Sequence, residues 1–309
     1  MRLATFDEDR IGVVQDDHVL DVTSLVEPLG TGTSAMRRLI TNWGELDLSS
    51  ATGPRRPLAE VRLEAPVPDP TKVIAAPVNY RDHQSEMSQA SHVSSLGFFL
   101  KAPSSLLRPQ GTVQLPYTDR RFDQEGELAC VIGRQARAVS PEDALSYVFG
   151  YTGLLDITMR GGEDRSTRKS FETFTPMGPW LVTADEFGPP VDVDLRCWVT
   201  GNLRQRANTA DLIWDVARLV SYASWVTTLE PGDILTTGTP AGVGPLQDGD
   251  TIELDLARIG GVLRVTVSAG GAGTSHTLGR DTGPVPPPAL TWGAAGSASA
   301  EPAGEPTPS

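Results

Sequence analysis

Glu125 and Glu127 flank one glycine at the entry of the stretch FDQEGELACVIG. The run behind them alternates Leu128, Cys130 and Ile132 with Ala129 and Val131, the pattern of a strand, and Gly133 ends it. Side chains two apart on a strand share a face, roughly 6 to 7 Å apart. Like charges so placed repel, unless the face is solvated, a proton is shared or a cation lies between them. Asp156 is a third acid in an apolar setting, between Leu154, Leu155 and Ile157. Three carboxylates make an all-oxygen set, which suits Mg²⁺, Mn²⁺ or Ca²⁺ better than zinc. The plainer alternative is a solvated strand face at the two glutamates and a capped or salt-bridged Asp156.

A second constellation lies in NYRDHQSEM. If Asp82 to Met87 is helical, His83 and Glu86 are three apart on one face. A carboxylate beside an imidazole orients it and raises its basicity, as a general base requires; an ordinary surface pair would look the same. Of the other histidines, His18 sits in N-terminal strands and His276 near the end of the chain, leaving His92 as the other candidate. GTPAGVG, 238 to 244, could cradle an anion with backbone N–H groups, although the P-loop pattern is absent. Lys169 and Arg160 are possible anion contacts or ordinary solvated cations.

The elements that must position these residues are mostly strands. RLATFDEDRIGVVQDDHVLDV reads as short strands with polar turns, followed by a helix near Ser34 to Trp43 and Pro-containing linkers over roughly 52 to 70. KVIAAPVNY is a buried strand leading into the RDHQSEM helix. Residues 98 to 118 read as loop and short strand. SPEDALSYV carries a helix start, with Ser140 as cap and Pro141 in the first turn. GYTGLLDIT is another strand. NTADLIWDVARLVSYAS places Leu212, Ile213, Val216, Leu219 and Val220 at helical spacing. GDILTTGTPAGVG is a strand running into a glycine-rich turn, and TIELDLARIGGVLRVTV is a strand pair joined through Gly-Gly. The expected organisation is a small N-terminal subdomain over 1–66, a catalytic domain over 67–270 and a disordered Gly/Ala/Pro-rich tail over 271–309.

Composition narrows the partners. The 309 residues carry a formal net charge of −13, which speaks against a nucleic-acid backbone or an anionic membrane surface. An acidic protein can still bind an anionic metabolite in a local basic pocket. Two cysteines make no disulfide framework, and Cys130, within the apolar strand, reads as a buried inert thiol. The N-terminal residues have no apolar signal region, no run of 18 apolar residues occurs, and the cytoplasm is the expected location.

Taken in order, NYRDHQSEM, FFLKAPSSL, EGELACVIG, GYTGLLDITMR, RKSFETFTPMGPW and LEPGDILTTGTPAGVG resemble the fumarylacetoacetate hydrolase family, from about residue 71 to 268. The resemblance implies a β-rich α+β fold, a mixed β-sandwich roll, in a homodimer. It implies Mg²⁺ or Mn²⁺ held by Glu125, Glu127 and Asp156, and water activated by His83 with Glu86. It implies substrate contacts from Arg160 and Thr239, and from Glu163 at the position where many members carry glutamine. Lys169 would join the catalytic group, and Thr173 would support metal and substrate. The run Arg160-Gly161-Gly162-Glu163 departs from the common R-D-x-Q, and an ionised Glu163 donates no hydrogen bond. The implied activity is hydrolysis of a C–C bond in a 2,4-dioxo acid, an acylpyruvate or fumarylpyruvate-like compound, through a metal-stabilised enolate. Decarboxylation of a 2-oxo acid, keto–enol isomerisation and a non-catalytic metal-binding protein are the alternatives.

Overall fold

A computed structural model describes residues 1–279, 282, 283 and 288. One long mixed sheet runs, in spatial order, through Arg55–Pro57, His18–Asp21, Arg10–Gln15, Arg2–Phe6, Thr175–Thr183, Val148–Leu155, Gly126–Ile132, Ile234–Thr236, Val73–Ala75 and Phe99–Lys101. The strand Gly126–Ile132 is buried along its whole length, flanked by Val148–Leu155 and Ile234–Thr236. A strand covered on both faces has no polar face to show, so its apolar residues run continuously after Glu127.

A five-stranded sheet, Asn202–Asn208, Asp194–Val199, Thr251–Leu256, Val262–Ser268 and Thr112–Gln114, packs on the long one. Leu128, Cys130, Leu155, Cys197, Leu254 and Leu256 meet in the core between them. The contact is tightest at Gly126. A Cβ there would come within 2.9 Å of Leu254 Cδ1 and 3.3 Å of Cys197 Cβ. The glycine between the two glutamates therefore marks the face where the second sheet presses close, and the acids take the other face. A small sheet of Thr158–Met159, Phe122–Gln124 and Gly244–Pro245 holds the entry to both glutamates and the exit from Asp156.

The N-terminal segment is less separate than its composition suggests. Its helix Ala35–Thr41 is capped by Ser34, and its apolar side joins a cluster with Leu3, Ile11, Ala129, Val131 and Leu181. Strand Arg2–Phe6 pairs with Thr175–Thr183, matching Arg2 to Val182 and Leu3 to Leu181. Residues 1–66 thus extend the catalytic sheet. The C-terminal helix also differs from expectation: it spans Val216–Val226, capped by Asp215. Ile213 and Trp214 instead give their backbone N–H groups to Asn79, which ends the helical spacing early.

The disordered tail expected from 271 is corrected over its first residues. Gly273 donates to Pro116 and accepts from Thr118, and Ser275 bonds both carboxylate oxygens of Asp119 at 2.8 Å. Gly279 accepts from Gly162 at 2.9 Å. Residues 271–279 therefore form a strap held by polar contacts, a kind of order that apolar periodicity does not register. The remainder of the expected tail, apart from 282, 283 and 288, lies outside the described residues. Among the described residues no helix is long and apolar enough to cross a membrane.

Candidate active site

The strand entry, the strand Val148–Leu155 and the turn after Ile234–Thr236 bring three carboxylates together. Oxygens of Glu125, Glu127 and Asp156 lie within 4.8 Å of one another, and all three residues are buried. Asp156 follows the end of its strand and donates its backbone N–H to Glu125 O at 2.8 Å, which ties the two acids.

Three buried cations stand among them. Lys169 Nζ reaches Glu125 at 2.6 Å and Asp156 at 2.5 Å. Lys101 Nζ donates to the other Asp156 oxygen and to Phe174 O at 2.9 Å. Arg160 donates to Glu125 at 2.8 Å and to Asp123 at 2.7 Å. These cations decide the protonation. Burial works against charge on Glu125, but Lys169 and Arg160 outweigh it and hold its carboxyl well below the usual range. Glu127 has no cation in contact among the described residues. Its Oε2 accepts from Thr236 Oγ1 and from the Gly238 N–H at 2.9 Å. Burial first, then the charge of Asp156, push it up to about 8. Hard oxygens converge here, and Glu127 has no cation of the protein in contact among the described residues, which is the setting a divalent ion suits. The residues therefore fit Mg²⁺ or Mn²⁺.

Helix Arg81–Glu86 brings His83 to the same cleft. His83 Nδ1 lies 2.9 Å from Glu86 Oε2. An ionised carboxylate can only accept, so Nδ1 carries the proton and Nε2 is left with its lone pair. Glu86 is itself fixed, because its Oε1 accepts from the Gly242 N–H at 2.9 Å. The glycine-rich turn does cradle anions, and they are the protein's own: Gly238 holds Glu127 and Gly242 holds Glu86. Both glycines sit at positive φ, +85° and +101°, where a side chain would be strained. Thr239 lines the cleft; its hydroxyl donates to Gly126 O at 3.0 Å and accepts from Gln205 at 2.7 Å.

The cleft is partly open to solvent. Glu125, Glu127, His83, Arg160, Lys169 and Thr239 line it. Asp156 lies just beneath, and Glu86 behind His83. Two expected residues are elsewhere. Glu163 is engaged by Arg120 in a two-pronged ion pair, 2.8 and 2.7 Å, and also accepts from Thr277 of the strap. Those partners hold its carboxyl down at about 2, the Arg120 hydrogen bond foremost. It fastens the loop and is not among the residues that line the cleft. Thr173 points away as well: its hydroxyl accepts the Gln114 N–H at 2.8 Å. Lys101, Asp123, Thr236 and Gln205 also join the site, without a motif in the sequence that marks them. Lys101 carried a signal, a lysine closing the apolar FFL run, since a buried charge needs a partner. The other three are ordinary polar residues whose role depends on distant strands.

Known proteins bear on this geometry. The family model for the C-terminal domain of fumarylacetoacetate hydrolase matches residues 72–268. Maleylpyruvate hydrolase of Aquipseudomonas alcaligenes is 43% identical over 278 residues, 84% of this chain and 97% of that protein. A crystal structure of maleylpyruvate hydrolase from Sphingobium sp. SYK-6, in complex with manganese(II) and pyruvate, is similar with a TM-score of 0.77. It is 42% identical, covering 89% of this chain and all of that one. The 2-hydroxyhepta-2,4-diene-1,7-dioate isomerase of Mycobacterium marinum is similar at 32% identity and a TM-score of 0.70, over 88% of this chain and 99% of that one.

Proposed function

The chain belongs to the fumarylacetoacetate hydrolase family, and from that premise we propose how its own residues hydrolyse a carbon–carbon bond in a 2,4-dioxo acid. The observation that carries the reading is one cleft holding both the Glu125–Glu127–Asp156 cluster and an imidazole with a free Nε2. Mg²⁺ or Mn²⁺ bound by those three carboxylates would supply Lewis acidity toward the 2-oxo acid end of the substrate. His83 Nε2 takes a proton from water, and Glu86 stabilises the imidazolium that results. The hydroxide adds to the C4 carbonyl. The C3–C4 bond then breaks, its electron pair passes into the enolate of pyruvate, and a proton at C3 completes that product. The other fragment leaves as a carboxylic acid. Arg160, Lys169 and Thr239 orient the substrate and set positive charge and a hydroxyl beside it.

That the Sphingobium maleylpyruvate hydrolase was solved in complex with manganese(II) and pyruvate supports the product side of this scheme, because pyruvate is what C3–C4 cleavage releases. The same reading takes the protein as a cytoplasmic homodimer, which light scattering would test. The exposed Trp225 and Val226 near the end of helix Val216–Val226 support a second copy as cover.

The deciding assay uses EDTA-stripped protein with and without Mg²⁺ or Mn²⁺, on acylpyruvates, fumarylpyruvate and oxaloacetate. Metal-dependent release of pyruvate from a dioxo acid, abolished in Glu125→Ala, is the expected result. Consumption of oxaloacetate alone, or isomerisation without cleavage, would overturn the hydrolase step while leaving the metal site intact.

A further inference from the structure

Three arginines line the cleft: Arg160, Arg165 and Arg168. Arg160 is committed to Asp123 and Glu125. Arg168 donates to Glu163 O at 2.8 Å and to Met159 O at 3.3 Å. Arg165 is half-buried, and among the described residues its guanidinium has neither a hydrogen bond nor an ion pair. A planar five-donor fork lining a cleft, with no hydrogen-bonded or ion-paired carboxylate among those residues and only the neighbouring Asp164 to offset its charge, is suited to a ligand carboxylate.

Its position gives that carboxylate an address. Helix Arg165–Lys169 carries Lys169 at one end, on Glu125 and Asp156, and Arg165 at the other. Four residues apart, the two share a face, separated by about one 5.4 Å turn. That rise is comparable to a few carbon–carbon bonds. The backbone is held at both sides of Arg165: Asp164 caps the helix through Ser166 N–H at 2.7 Å, and the Arg120–Glu163 pair pins the preceding residue. The backbone that carries the fork is therefore fixed before any ligand arrives. Apolar Val78, Met87 and Phe99 fill much of the remaining wall. In a molecule of net charge −13, a free local cation is also what would draw in a second negative charge.

We propose that Arg165 reads the far end of the substrate and makes the enzyme selective for 2,4-dioxo acids that carry a second, terminal carboxylate. The assignment rests on the metal end receiving the 2-oxo acid, as proposed above. Acylpyruvates with an apolar tail would leave Arg165 unpaired and bind less well.

The test separates recognition from turnover. Calorimetry on Mn²⁺-loaded protein compares 2-oxoadipate with 2-oxohexanoate, acids of the same chain length that differ in the terminal carboxylate. The wild type is expected to favour 2-oxoadipate by about 10- to 100-fold, the scale of one charged hydrogen-bonded pair. Arg165→Met should remove that preference and Arg165→Lys should restore part of it, with Mn²⁺ affinity unchanged. In turnover, Arg165→Met should lower kcat/KM for fumarylpyruvate by a similar factor and for acetylpyruvate hardly at all. Equal affinity of the wild type for the two acids, failure to bind either, a preference surviving in Arg165→Met, or equal losses on both dioxo acids would overturn the inference. A binding preference that depends on Arg165, in a protein that cleaves no dioxo acid, would support Arg165 and sink the hydrolase reading instead.

Discussion

At the residue scale the roles of His83 and Glu127 can be separated. His83→Ala should lower turnover by about 10²- to 10⁴-fold, the range for one positioned base, while Mn²⁺ titration stays unchanged. Loss of metal in that variant would mean that His83 ligates. Glu127 has the opposite signature. Its folded-state value near 8 lies above the ordinary 4.5, so the folded metal-free protein holds a proton that the unfolded chain releases. Its contribution to stability is full below about 4.5 and is lost as pH rises through about 8. The Tm of stripped protein should therefore fall on going from about pH 5 to about pH 9, and Glu127→Gln should flatten the slope. A slope unchanged in that variant would assign the titration elsewhere. Metal competes for the same carboxylate, so affinity should weaken as pH drops below 8.

The acids were legible as candidates because carboxylates amid Leu, Ile and Val are costly to bury without a purpose. Glu163 and Thr173 bond to Arg120 and Gln114, and side-chain direction of this kind depends on which neighbour claims the group first. Arg120 lies 43 positions before Glu163, and Gln114 lies 59 before Thr173. Neither pairing leaves a local trace.

At the element scale the short sequence E-G-E joins two requirements. One face needs acids, and the other needs no side chain at all. Gly126→Val should destabilise by about 1–3 kcal/mol through overpacking against Leu254 and Cys197, read as a fall in Tm with metal bound. A neutral outcome would mean that the second sheet gives way there. The strap makes a second claim at this scale. It holds Glu163 through Thr277 and Gly162 through Gly279, ahead of the helix that carries Arg165 and Lys169. Truncation after Gly270 should raise KM for dioxo acids several-fold, and Arg120→Ala should do likewise, both with kcat changed less. A truncated enzyme with unaltered KM would show that the strap is decorative. The strap was missed in the sequence because Gly, Ser and Thr order through hydrogen bonds to a surface, and the surface is elsewhere in the chain.

At the scale of the whole molecule, local periodicity found most strands but not their neighbours. Arg2–Phe6 reads as a strand in the sequence and Thr175–Thr183 does not, and nothing in either announces the other. A bound metal would tie two neighbouring strands together, since Glu125 and Glu127 stand at the entry of Gly126–Ile132 and Asp156 follows the end of Val148–Leu155. Saturating Mn²⁺ at about 100 times Kd should stabilise the fold by about 2.7 kcal/mol, seen as an upward shift in Tm that EDTA reverses.

The pairing of Leu3 with Leu181 also has a consequence during synthesis. Strand Arg2–Phe6 meets its neighbour on that side only after some 180 further residues have been added, at about 5–20 residues per second. For roughly ten seconds or more the nascent hairpin of Arg2–Phe6 and Arg10–Gln15 carries an open edge and an unburied apolar face. The emerging chain is thus a natural client for a holding chaperone, and its yield on expression should respond to translation speed more than the stability of the finished enzyme would suggest.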